Sequence, residues 1–196
     1  SSTVDFTYND AANTITAIVP NGAIGTAQLS TTINNSLTAS QKVPVPLFDA
    51  YTPVSTSSTA ETDLHTFTIP ANTINTNGQK IVANYGGAFT NAILQTQRLK
   101  FYFYNTVVFD TGTLNIGIAT PVWVMRVWAI RASSTSAYVE VELISNGIST
   151  VLFKQTITLS SLDFTASGVM KVTAQSSLIA TTITRTMATG KLEQNV

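Results

Sequence analysis

Cysteine is missing from all 196 residues, and histidine occurs once. A disulfide framework, a thiol nucleophile and a cysteine-based zinc site are therefore excluded. Charge is scarce too. Ten acidic and ten basic residues make up 10% of the chain and cancel, where soluble domains carry roughly 25%. Lys and Arg form no run, which argues against a nucleic-acid footprint or a polybasic membrane contact. The longest apolar stretch, Pro121 to Ile130, is interrupted by Arg126 and is too short to span a bilayer. The opening SSTVDFTYND has neither a basic cluster nor an apolar core, so no signal peptide is expected. Gly86-Gly87 is not followed by the Lys-Ser/Thr of a phosphate-binding loop, and no G-x-S-x-G elbow occurs. No cofactor is expected.

What remains is apolar and hydroxyl-rich. Hydrophobic residues supply 44% of the chain, which argues against disorder. Polarity comes from 33 threonines and 18 serines, a quarter of all positions. Charges normally keep proteins apart in solution. A neutral, β-branched chain with so few of them reads as an obligate oligomer or a piece of a larger assembly.

The first twenty residues predict a hairpin: Val4, Phe6 and Tyr8 alternate with polar residues, Asn9 to Asn13 turn the chain, and Ile15, Ala17 and Val19 alternate on the return. Ile24, Leu29, Ile33 and Leu37 follow, the last three spaced by four, as on a short surface helix or a bundled stalk. Pro44, Pro46 and Pro53 and a Ser/Thr run then predict an extended connector. The expected organisation is a hairpin and stalk over 1–40, a linker over 41–59 and a main domain over 60–196.

Within that domain about ten β-rich segments alternate with turn residues: Asn77-Gly78, Gly86-Gly87, Asp110-Thr111-Gly112, Asn146-Gly147 and Ser167-Gly168. Short strands at this spacing predict an antiparallel β-sandwich. Tyr138 to Leu143 alternates cleanly, with Glu140 and Glu142 outward. Val122 to Arg131 does not: Trp123, Met125, Val127 and Ala129 form one apolar face, and Val122, Val124, Trp128 and Ile130 form another around Arg126. A strand apolar on both faces calls for cover on both, which in a two-layer sandwich means a neighbouring subunit. Phe101 to Tyr104 reads the same way.

Chemistry-bearing residues are few. Glu61, Asp63 and His65 would share one face of a strand, a weak metal-ligand set beside the plainer reading of a solvated edge. Glu140 and Glu142 would stand about 7 Å apart, within the range of a glycosidase pair, but exposed carboxylates commonly serve solubility alone. Tyr85, Tyr102, Tyr104 and Tyr138 are candidates for stacking on sugars. Arg126 needs a partner, and a structural ion pair near a subunit interface is the favoured reading. No catalytic residue and no metal site is assigned.

The residues Ile69-Pro70-Ala71-Asn72-Thr73-Ile74, Asn77-Gly78, Phe109-Asp110-Thr111-Gly112 and Trp123, with VWAIR at 127–131 and VMKVTAQ at 169–175, give 60–196 a pattern of turns and strands. This pattern resembles the C-terminal jelly-roll heads of bacteriophage tail fibres and related virion fibres. The resemblance implies a jelly-roll-like sandwich, a homotrimer in contact with other virion proteins, and location on the phage tail or capsid. It also implies recognition of a bacterial surface glycan or protein, without catalysis and without membrane insertion. The alternatives are a depolymerase tailspike head using an acidic pair, and a non-viral carbohydrate-binding module. With the strands committed to core and subunit contacts, recognition is expected in loops, at Asn91, Gln95, Ser133, Ser134, Asp163 and Phe164.

Overall fold

The computed structural model describes residues 5–9, 14–18, 44–90, 96–115, 122–146, 150–178 and 181–193. It divides into two compact units, Ser1–Val43 and Pro44–Val196. In the first, β1 (Asp5–Asn9) pairs antiparallel with β2 (Thr14–Ile18), Asp5 opposite Ile18 and Asn9 opposite Thr14. The expected hairpin is present. The stripe from Ile24 to Leu37 lies outside the described residues.

The second unit contains twelve described strands and, among the described residues, no helix. They are β3 (Val45–Ala50), β4 (Val54–Thr56), β5 (Thr62–Ile69), β6 (Lys80–Thr90), β7 (Thr96–Phe103) and β8 (Thr106–Asp110). β9 (Leu114–Asn115), β10 (Val122–Ser133), β11 (Ser136–Asn146), β12 (Thr150–Leu159), β13 (Gly168–Ser176) and β14 (Thr182–Glu193) follow. One sheet runs β12-β11-β10-β6-β14-β3, with β4 also on β14; the other runs β5-β13-β7-β8, with β9 also on β7. With the β11–β12 hairpin and the two short strands set aside, β3-β14-β6-β10 faces β5-β13-β7-β8. The chain passes back and forth between the two packed antiparallel sheets of this β-sandwich, and in this frame its last strand lies beside its first. β11 and β12 are added at one edge of this frame.

Alternation builds the core. Trp123, Met125, Val127 and Ala129 of β10, with Val139, Val141 and Leu143 of β11, face Leu99, Phe101 and Phe103 of β7 and Met170 and Val172 of β13. Gly86-Gly87 was expected to turn the chain; instead it lies inside β6, paired with β10 and β14 on either side. The reason is steric. A Cβ on Gly87 would stand 1.9 Å from the Thr184 carbonyl oxygen and 2.8 Å from the Trp123 indole, so only glycine allows the ring to lie there. True turns occur where φ is positive: Gly78 (85°), Gly112 (61°), and the Tyr104-Asn105 pair (48° and 62°), which closes β7 onto β8.

The expected linker over 41–59 is corrected. β3 pairs with β14 from Ala50 opposite Ala188 to Val45 opposite Leu192, and β4 pairs with the same strand through Val54, Ser55 and Thr56. The compact unit therefore begins at Pro44 and not near residue 60. β3 is a sheet edge, where a proline need not donate to the ladder, so Pro46 is tolerated opposite Lys191. Phe48 gives this strand its anchor: its ring lies over Gly190, against Phe67 at 4.9 Å.

Gly87→Ala is expected to destabilise the fold by about 2 kcal/mol or more, because the contact is with backbone and a fixed ring rather than a flexible side chain. Thermal denaturation followed by circular dichroism checks this; an unchanged midpoint would show that the Trp123 ring has other room.

Candidate functional site

The loop residues expected to bind divide three ways. Asn91 and Gln95 lie outside the described residues. Ser133, Ser134, Asp163 and Phe164 come together at one end of the sandwich, where Leu162 N donates to Thr135 O at 2.9 Å. Their polar groups are largely spent on the loops themselves. Ser133 Oγ bonds Ser136 Oγ at 2.6 Å, and Asp163 Oδ1 accepts from the Thr165 hydroxyl at 2.6 Å and its amide at 2.9 Å. Phe164 is not a surface residue: it is 2% exposed, edge-on to Tyr104 and beneath the Arg131 guanidinium. Its carbonyl accepts from Asn72 N at 2.8 Å. Phe164 anchors the loop from inside.

The trio Glu61, Asp63 and His65 does not share a face. Val172 pairs with His65 and Thr173 with Asp63, leaving Leu64 as the extra residue of a bulge. The bulge reverses the alternation. Asp63 turns outward to Lys171 at 3.0 Å, whereas His65 turns inward, 4.6 Å from Phe48 and 5.6 Å from Tyr85. Glu61 stands on the outer face of the five-stranded sheet, accepting from Lys100 Nζ, the Tyr102 hydroxyl and the Thr173 hydroxyl. Burial works to raise its pKa, but these hydrogen bonds and the Lys100 charge prevail and bring it down to about 2. Beside it Arg98 makes a two-pronged pair with Asp110, whose Oδ1 also accepts from Gly112 N at 2.8 Å. Among the described residues no three His, Asp or Glu side chains gather as a metal would require.

The tyrosines also separate. Tyr85 is fully buried, Tyr104 packs on Phe103 and Phe164, and Tyr102 belongs to the Glu61 network. Tyr138 alone of the four is open, at 52% exposure. It stands on the outer face of the seven-stranded sheet, where cross-strand rows can be read from the register. Lys80, Ile130, Tyr138 and Thr158 form one row; Val82, Trp128, Glu140 and Thr156 form the next. Between these rows lies an open depression of 390 Å³ lined by Lys80, Trp128, Ile130, Tyr138, Glu140 and Thr156. A second depression of 270 Å³ adjoins it across β6, reaching Val82, Asn84, Thr189, Lys191 and Asp49.

The acids on this face are held by cations. Glu140 meets Lys154 at 2.9 Å and accepts from the Thr156 hydroxyl at 3.3 Å; Glu142 meets Arg126 at 3.4 Å. Arg126 thus has the partner it needed, although the pair is exposed in this chain. Lys80 pairs with Glu193 at 2.8 Å.

The buried arginine is a different one, and it was not foreseen. Arg185 is 4% exposed between the sheets, with Nη1 donating to Ala50 O at 2.9 Å and Nε to Leu64 O at 3.3 Å. Thr186 is the extra residue of a bulge between Arg185 and Met187, so both Arg185 and Ala188 point inward. The Tyr85 hydroxyl and His65 Nδ1 nearby are buried without a hydrogen-bond partner. Burial lowers the His65 pKa to about 4, and the Arg185 charge adds to the effect.

Against known proteins, no family model, no curated protein and no solved structure matches this chain.

A pH dependence follows from His65. Its folded pKa of about 4 lies below the ordinary histidine value of 6.5, so between those values the unfolded chain binds the proton and the native one does not. Stability is expected to be flat above pH 6.5 and to fall on acidification toward pH 4, by on the order of 2 kcal/mol after allowing for partial exposure. Urea midpoints at pH 7 and pH 4.5 measure this. His65→Gln should flatten the difference between them.

Proposed function

We propose that this protein is a non-catalytic recognition head: a virion fibre domain, homotrimeric, that attaches to a glycan or protein on a bacterial surface. The observation that carries the reading is the outer face of the seven-stranded sheet. Ile130 and Tyr138 stand exposed there with Trp128 half-buried beside them, next to glutamates paired with Lys154 and Arg126. A glycosidase needs two carboxylates in different environments, one kept protonated and one ionised. Glu140 and Glu142 are instead matched, each tied to a cation across the strand. Such a surface offers aromatic faces and hydrogen-bonding groups to a ligand, and its two neighbouring glutamates lie in like surroundings. The virion part of the reading is supported by the resemblance of the TIPANT and FDTG turns and by a surface too poor in charge for a lone soluble chain.

Two measurements test the proposal. The labelled protein should adsorb to cells of a susceptible bacterial host without releasing reducing sugar; release of sugar would make it an enzyme. Light scattering at micromolar concentration should return three times the 20.9 kDa chain mass, and a mass near the single chain would overturn the trimer.

A further inference from the structure

We infer that the ligand of this recognition head is an electrically neutral oligosaccharide, and that it binds across the outer face of the seven-stranded sheet rather than at the loops. The inference rests on the recognition reading above and specifies its site and ligand class.

Three features of the face point there. The first is aromatic geometry. Tyr138 stands opposite Ile130 and Trp128 opposite Glu140, so the two aromatic residues sit diagonally on neighbouring strands, both lining the depression. Aromatic faces suit the C–H faces of pyranose rings, and Tyr and Trp lose little conformational freedom in making such contacts. The second is polar equipment. Glu140, Thr156 and Lys80 line the same depression. A carboxylate held by Lys154 still has lone pairs for sugar hydroxyls, and Thr156 and Lys80 offer donors. A purely apolar partner would bury their remaining lone pairs and N–H groups without offering new partners.

The third feature is charge. Across both depressions and the row beside them, Lys80, Lys191, Arg126 and Lys154 are balanced by Glu140, Glu142, Glu193 and Asp49. The face presents no net field to attract an acidic polysaccharide, and its Lys80, Lys154, Arg126, Glu140, Glu142 and Glu193 side chains are held by one another. An uncharged chain of hydroxyl-bearing rings is the complementary ligand. The adjoining depression over Val82, Asn84 and Thr189 extends the track along the row direction, from β11 across β10 and β6 to β14. Strands lie roughly 4.8 Å apart, so this span of three spacings receives several rings and not one.

The loop cluster at 133–136 and 160–167 offers no comparable surface. Its principal polar groups bond one another and its aromatic ring is interior.

The test uses the full chain on an array of neutral and acidic bacterial surface polysaccharides, with whole-cell adsorption in parallel. Neutral polysaccharides should be retained. Trp128→Ala and Tyr138→Ala should each weaken retention roughly tenfold or more. Trp128→Phe and Tyr138→Phe should keep most of it, with unchanged circular dichroism and oligomer mass throughout. Ser134→Ala combined with Asp163→Asn should bind as the parent does. If the parent binds and the alanine variants bind equally well, or acidic glycans are preferred, the inference fails while the recognition reading stands. If Trp128→Ala alters the oligomer mass, this face is a subunit contact and the inference fails. If the parent binds neither array nor cells, the recognition reading itself fails.

Discussion

Side-chain parity governs this sandwich. Each strand can present one apolar face only if its residues keep step, and a shift of one position would exchange inside for outside along a whole strand. β14 keeps its inner face through Ile183 and Arg185, loses step at Thr186, and regains it with Ala188, Gly190 and Leu192. β5 does the same at Leu64. Without these corrections Phe48 would meet no flat strand over Gly190, and His65 would stand in solvent beside Asp63. The bulges also decide which polar groups are committed to the interior: Arg185 and His65 are inside because of them, and Glu61 and Asp63 are left free to organise the outer face.

The strands were readable in advance because the core is written in alternation. β11 shows this most plainly, since Val139, Val141 and Leu143 lie inside as their spacing requires. Misreadings arose wherever a contact distant in sequence overruled a local signal. Gly86-Gly87 carries turn chemistry, yet Trp123, more than thirty positions away, needs a bare backbone beside it. The prolines of 44–53 discourage structure locally, yet β14 offers an edge to complete. The His65 set assumed an unbroken strand, and nothing within ETDLHTF announces that Val172 and Thr173 will skip Leu64.

The candidate site was partly legible for a related reason. From sequence, the double apolar character of Val122 to Ile130 points to a neighbouring subunit, and Tyr138 is one of four tyrosines offered for stacking on sugars. What could not be read was the register. Only when β10 is laid between β6 and β11 do Trp128, Tyr138, Glu140 and Lys80 become neighbours. The loops attracted attention because loops so often carry recognition. Here Phe164 and Asp163 are spent on holding the loop together.

The β11–β12 hairpin lies outside the eight-strand frame, joined to it through β10 alone within its sheet, with β12 at the open edge. It nevertheless supplies Tyr138, Glu140 and Thr156, half of the residues around the larger depression. Its inward residues answer to the core, whereas its described outward acids pair within the hairpin and with Arg126 of β10. Mutation can therefore rewrite this half of the surface without disturbing the closure of β14 beside β3. A lineage carrying this architecture would hold its scaffold constant while its outer alphabet drifts, changing the company it keeps one hairpin at a time.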